Sequence, residues 1–105
     1  MNPDIFLELE QAIKQGRKVA LATVVTTKGH TPQRPGARML IYKDGDLSGT
    51  VGGGCVEAEV VAAAQRLLRE GKAALCRFEL IASEDEPEAD VCGGVMEIFI
   101  QPYGR

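Results

Sequence analysis

Cysteine meets glycine twice in this chain, in Gly52-Gly53-Gly54-Cys55-Val56-Glu57 and in Val91-Cys92-Gly93-Gly94. After the first, the apolar spacing becomes helical, which sets Cys55 at a helix N-terminus. The helix dipole there favours thiolate over thiol, and thiolate is the form that attacks electrophiles and binds soft metals. The competing assignment for Cys55 is a small apolar residue, the usual state of a free cysteine. The glycines suggest a second chemistry. A helix start carries backbone N–H groups without internal partners, and glycines let a phosphate or other oxyanion come close to them. A tight turn needs the same residues, so Gly52, Gly53 and Gly54 read equally as an anion cradle and as a bend. Neither common nucleotide fingerprint is present. Glu57 stands where G-x-G-x-x-G needs its last glycine, and Cys55 where a P-loop needs lysine.

Cys92, with Gly93 and Gly94, forms a second junction that could share a pocket with the first. Cys76 sits mid-strand on an apolar face and reads as inert. Zinc is disfavoured, since there is no C-x-x-C and His30 is the one histidine. Glu57 either complements the dipole in the first helical turn or lines a pocket beside Cys55; Glu59 falls on the polar face. The loop over residues 28–38 has two prolines and two glycines, so it is stiff, and it carries Lys28, Arg34 and Arg38. Arginine's planar fork suits phosphate or carboxylate. With the glycine run, these charges favour an anionic ligand over a merely solvated loop.

Elements must position these residues. Asn2-Pro3-Asp4 has the composition of a helix start, with Asn2 the cap, and Ile5, Phe6, Leu9 and Ile13 form an apolar stripe ending at Gly16. Residues 19–25 are apolar on both faces, as in a central strand covered on both sides. Residues 37–43 and 46–51, joined by Asp44-Gly45, predict a hairpin with a type I′ turn. Val56, Val60, Ala63, Ala64 and Leu67 make one face of a second helix, with Gln65, Arg66 and Arg69 away from it and Gly71 as its stop. Residues 74–80 alternate, placing Cys76 beside Phe78 and Leu80, and residues 95–100 are a last strand before Pro102. The order α-β-β-β-α-β-β predicts an α/β fold, a single layered domain of a mixed β-sheet packed with helices. No repeat or linker divides it.

Composition narrows the partners. The 105 residues are 45% hydrophobic and 26% charged, which supports one domain with a core. Five of the 15 acids crowd into residues 83–90, and the remainder is only mildly basic, far from a nucleic-acid binder. That acidic stretch is expected to be an exposed loop. No apolar run approaches a membrane span, the acidic start is unlike a signal peptide, and three cysteines do not make a disulfide framework. The expected compartment is the cytoplasm, with reduced thiols.

Three segments together resemble the N-terminal domain of the XdhC/CoxI family: Gly29 to Met39 (Gly-His-Thr-Pro-Gln-Arg-Pro-Gly-Ala-Arg-Met), Gly52 to Glu57, and Cys92-Gly93-Gly94. Their order and spacing match, from about residue 12 to the end. The resemblance implies an accessory factor for molybdenum hydroxylases such as xanthine dehydrogenase and carbon monoxide dehydrogenase. Such a factor transiently binds and protects the molybdenum cofactor (molybdopterin), assists its sulfuration with a cysteine desulfurase, and helps insert it into the apo-hydroxylase. It implies a cofactor chaperone rather than a catalyst. By position, Gly52, Gly53, Gly54, Cys55 and Glu57 fall in the family's central motif, and Cys92, Gly93 and Gly94 in its second. The cofactor's phosphate suits the glycine amides with Arg34 and Arg38, and its dithiolene-bound metal suits cysteine thiolates. Two departures stand out. His30 replaces a usual serine, and the chain ends at Arg105, where many members continue into a Rossmann-type domain. The expectation is a cofactor-binding half working with a separate Rossmann-domain partner, with homo-oligomerisation left open. Two other functions remain: a small thiol-dependent enzyme using Cys55, weakened by the lack of an evident base, and a structural assembly module without cofactor.

Overall fold

The structure, a computed structural model, describes residues 4–31, 33–80 and 93–104, with Cys55 described through its backbone alone. Asn2, Pro3, Cys92 and the acidic stretch 83–90 therefore lie outside the described residues.

Helix α1 spans Ile5–Lys14. Its cap is Asp4 rather than Asn2: one Asp4 carboxylate oxygen accepts from the backbone N–H groups of Phe6 and Leu7 at 3.0 and 3.2 Å. Leu9 and Ala12 are buried, whereas Phe6 and Ile13 are 53% and 42% exposed, so the buried stripe is narrower than its sequence spacing suggests.

Strands β1 (Val19–Lys28), β2 (Arg38–Tyr42), β3 (Leu47–Gly49), β4 (Ala74–Glu79) and β5 (Val95–Tyr103) form one sheet in the order β3-β2-β1-β5-β4, and helix α2 (Glu57–Glu70) lies between β3 and β4 in sequence. The α/β layered domain is as expected. The sheet, however, is antiparallel in every ladder rather than mixed. The reason is β5, which inserts between β1 and β4 antiparallel to both. Helix α2 thus spans from one sheet edge to the other instead of joining parallel neighbours.

As its two-sided apolar pattern requires, β1 is the central strand. Ala20, Ala22 and Val24 face the core under α2, together with Met39, Ile41, Val60, Leu67 and Ile98. Val19 and Leu21 face the smaller core under α1, with Leu9, Ala12, Leu40 and Tyr42. Burying each large aliphatic side chain stabilises by about 1.5–3 kcal/mol, so both helices are held chiefly by these faces.

Local details differ from the sequence pattern for identifiable reasons. The β2–β3 ladder pairs Ile41 with Leu47, and Tyr42 N–H donates to Asp46 O at 2.9 Å, so the hairpin loop is Lys43-Asp44-Gly45, three residues instead of two. Arg17 stabilises that longer loop, its Nη2 donating to Asp44 and Asp46 at 2.8 and 3.0 Å while the guanidinium lies 3.9 Å over the Tyr42 ring. The Tyr42 hydroxyl donates to Glu8 at 2.6 Å, and Ser48 donates to the other Glu8 oxygen at 2.7 Å, which ties the hairpin to α1. Burial, reinforced by the Glu8 bond, pushes the Tyr42 phenol up to about 12. Gln65, expected to point away from the protein, donates to Tyr42 O at 2.9 Å. Strand β5 continues through Pro102 to Tyr103, because β4 pairs with it only as far as Ile100. Beyond that point proline's missing N–H costs no ladder bond on that side. Among the described residues no helix is long and apolar enough to cross a membrane.

Candidate functional site

The first cysteine–glycine junction is a braced outward turn. Val51 and Val56 are both buried in the core under α2, so the four residues between them must leave the core and return within a short span. Gly52 and Gly53 make this bend at φ 142° and 61°, conformations that other residues rarely adopt. A 3₁₀ turn over Gly53–Cys55 then leads into α2. Thr50 and Glu57 close the turn from its two ends. The Thr50 hydroxyl donates to Glu57 Oε2 at 2.9 Å and accepts from the N–H groups of Gly52 and Gly53 at 3.1 and 3.2 Å. Glu57 Oε2 also accepts from Gly53 N–H at 3.0 Å.

Two of the amides considered for an anion are thus bonded within the turn, and Glu57 acts on it from the first turn of α2. Gly53 and Gly54 are exposed, with open space where a Cβ would stand. The bare side of the turn is therefore at Gly53 and Gly54.

The second junction is built the opposite way. At Gly94 an added Cβ would lie 2.5 Å from Lys28 O, 2.6 Å from His30 O and 2.7 Å from Thr31 Cγ2. This glycine is there so that the entry to β5 can press against the end of β1 and the loop that follows. Gly94 O accepts from Leu80 N–H at 2.8 Å, which joins the end of β4 to the start of β5. Gly93 has open space around its Cβ position. Among the described residues no hydrogen bond joins Gly93 or Gly94 to the Gly52–Glu57 turn, and Cys92 lies outside them.

The two arginines part company. The loop closes at its base, where Gly36 N–H donates to Val24 O and Val24 N–H to Ala37 O. Arg34 stays exposed on its turn. Arg38, the first residue of β2, projects on the α1 side of the sheet. Its guanidinium lies 4.8 Å over the Phe6 ring, and Nη1 donates to Gly36 O at 3.1 Å. It lines a cleft of about 480 Å³ whose walls include Asp4, Phe6, Gln33, Gly49 and Thr50. Thr50 therefore borders both places: it lines the cleft, and its hydroxyl holds the glycine turn.

Sequence reasoning passed over Thr50 and Phe6. Thr50 precedes Glu57 by seven residues, outside the three-residue spacing of a capping box. Its one local signal was a hydroxyl just before a glycine run. Phe6 looked like part of the helix's apolar stripe. Cys76 is partly buried, as expected, and packs against the core that holds Phe78 and Leu80. Among the described residues, no cluster of histidine, cysteine and carboxylates could hold a metal ion.

Comparison with known proteins places the chain in a larger group. The sequence profile of the XdhC and CoxI family matches residues 12–79. An uncharacterized Escherichia coli protein, YqeB, is 35% identical over 101 residues, covering 96% of this chain and 18% of its own length. The E. coli molybdenum cofactor insertion chaperone PaoD is 32% identical over 87 residues, covering 80% of this chain and 26% of its own. A crystal structure described as a xanthine dehydrogenase from Bacillus halodurans superposes with a TM-score of 0.74 at 27% identity, covering 97% of this chain and 30% of that one. The chain thus spans less than a third of each of these relatives. With the family profile matched over more than half its length, the chain belongs to the XdhC and CoxI family.

Proposed function

We propose that this domain is the cargo-binding part of a maturation factor for molybdenum hydroxylases, one that holds the molybdenum cofactor transiently and passes it to an apo-hydroxylase. Support comes from the family and from the similarity to PaoD, a molybdenum cofactor insertion chaperone. The structural observation that carries it is the braced turn, in which Thr50 and Glu57 fix a backbone whose Gly53 and Gly54 are bare on the outer side. A chaperone needs such a preformed, solvent-facing surface, since it must release its cargo as well as hold it.

The residues present suit the cargo's chemistry. Gly54 and the Cys55 backbone offer an approach for an anionic or metal-bearing group, and the Cys55 and Cys92 thiolates are the proposed neighbours of the metal. Arg34 and Arg38 are the proposed phosphate partners. Within this proposal Gly52 and Glu57 shape the turn, while Gly93 and Gly94 shape the entry to β5. Sulfuration with a cysteine desulfurase, a separate Rossmann-domain partner, self-association and a cytoplasmic location belong to the same proposal.

The test is retention of cargo. Protein purified from cells that make the cofactor should carry molybdenum and oxidisable pterin in equal amounts, and Cys55→Ala should lower both without changing the melting curve. A wild-type protein that retains neither after incubation with cofactor released from a molybdoenzyme would sink the proposal.

A further inference from the structure

We infer that the cleft between the start of α1 and the Gln33–Arg38 segment is a binding site for a flat ring bearing one anionic group, with Arg38 and Phe6 as its recognition pair. At about 480 Å³ it has the size of small-molecule sites, which run to roughly 300–1,000 Å³. Its lining mixes an aromatic side chain, a guanidinium and the amide of Gln33.

The arginine is held before any ligand arrives. Its guanidinium carbon lies 4.8 Å from the centre of the Phe6 ring, and the bond from Nη1 to Gly36 O at 3.1 Å restrains it further. Each contact engages one part of a group with five N–H donors. Among the described residues no carboxylate pairs with Arg38, whereas Arg17 has two and Arg66 and Arg77 have one each. A guanidinium backed by an aromatic ring can form two parallel bonds to a carboxylate or phosphate through its free N–H edge, while the exposed part of the Phe6 ring can meet the ligand's ring.

The other polar groups in the cleft point to the same ligand. One oxygen of Asp4 accepts from the N–H groups of Phe6 and Leu7, so part of its charge is offset at the helix start. The Thr50 hydroxyl is engaged with Glu57, Gly52 and Gly53. That leaves Arg38 to bind the anion, with Gln33 able to serve a ring edge. Phe6 is 53% exposed, so part of its ring is open to a ligand arriving from solvent.

The inference rests on the cofactor-chaperone proposal only for the identity of the natural ligand, a cofactor that carries a flat ring system and a phosphate, part of which this cleft would take while the glycine turn takes another. Fluorescence titration with pterin-6-carboxylate, a flat ring with one carboxylate, tests the cleft by itself. Wild-type protein should bind this probe at least tenfold more tightly than unsubstituted pterin or inorganic phosphate. Phe6→Ala and Arg38→Gln should each weaken it tenfold or more, Phe6→Tyr should restore most of the binding, and Gly54→Ala should change it less than twofold.

Three outcomes overturn the cleft assignment: no saturable binding by the wild-type protein at millimolar probe, equal displacement by phosphate alone, or a loss confined to Gly54→Ala. None of them touches the cofactor-retention assay, so the two proposals fail separately. Phe6 is largely exposed, so Phe6→Ala is expected to fold, and circular dichroism of each variant confirms that lost binding is not lost structure.

Discussion

The two cysteine–glycine junctions look alike in sequence and are built on opposite principles. In Gly52-Gly53-Gly54 the glycines supply backbone angles, with φ of 142° and 61° at the first two, and open space surrounds the Cβ positions of Gly53 and Gly54. In Gly93-Gly94 the second glycine supplies absence of volume, since three atoms of the 28–31 segment stand within 2.7 Å of where its Cβ would be. One junction is an outward-facing turn held by side chains. The other is an inward seam between backbones. Glycine pairs of the two kinds therefore respond differently to the same substitution, and that difference can be measured.

The largest effect is expected at the seam. Gly94→Ala forces a methyl group against two backbone carbonyls that cannot swing aside as a side chain could. Overpacking of this kind costs about 3 kcal/mol, at the upper end of the usual range, or on the order of 10–20 °C in melting temperature for a domain this size. A melting curve within a few degrees of wild type would show that β1 and β5 can separate here, and the contrast between the junctions would collapse. Gly53→Ala should cost less, about 1–2 kcal/mol, because nothing blocks the methyl group and only the left-handed backbone is strained. Urea unfolding of both variants gives the ranking directly.

How much of this was legible beforehand depended on range. Local patterns sufficed for the central strand, whose apolar run from Val19 marks both faces, and for α2 with its Gly71 stop. Cys76 was placed on the right face by simple alternation. The antiparallel sheet was not legible, since it depends on β5 pairing with β1 across some seventy residues, and no local pattern encodes that register. The hairpin loop was misjudged by one residue because Asp44-Gly45 suits a two-residue turn by propensity, while Arg17, far earlier in the chain, favours the longer loop by bonding Asp44 and Asp46. Within the candidate site, the importance of Gly52, Gly53 and Gly54 was visible and the reason was not. Thr50 and Glu57 meet only because a 3₁₀ turn folds the intervening residues out of the way. Phe6 and Arg38 meet only because α1 lies along β2.

Thr50→Val sharpens the account of the outward turn. It keeps the shape of the side chain and removes the hydroxyl that accepts from Gly52 and Gly53 and donates to Glu57. Losing a comparable cap costs about 1 kcal/mol. Gly53 N–H keeps Glu57 as an acceptor, but Gly52 N–H is left to water. Amide hydrogen exchange should therefore quicken more at Gly52 than at Gly53, with β5 unaffected. Equal protection at both amides would mean that the threonine does not hold the turn.

The smallest effect on stability is expected at Gly54, and for that reason its substitution is the most informative about binding. Gly54 does not sit at positive φ, and nothing stands within 4 Å of its Cβ position. Gly54→Ala should therefore change stability by no more than about 0.5 kcal/mol, the usual range for surface substitutions away from special features. It also leaves the bonds among Thr50, Gly52, Gly53 and Glu57 in place. What it alters is the bare outer side of the turn, where one methyl group is enough to keep an oxygen from closing to the ~2.9 Å of a hydrogen bond to the backbone. If the turn receives part of the molybdenum cofactor, Gly54→Ala should lower molybdenum retention severalfold with an unshifted melting curve. Gly53→Ala cannot separate these effects, because its strained backbone loosens the turn as well as crowding it. Full retention by Gly54→Ala would leave the glycines as a bend alone and move the cargo's contacts to the side chains of the cysteines and arginines.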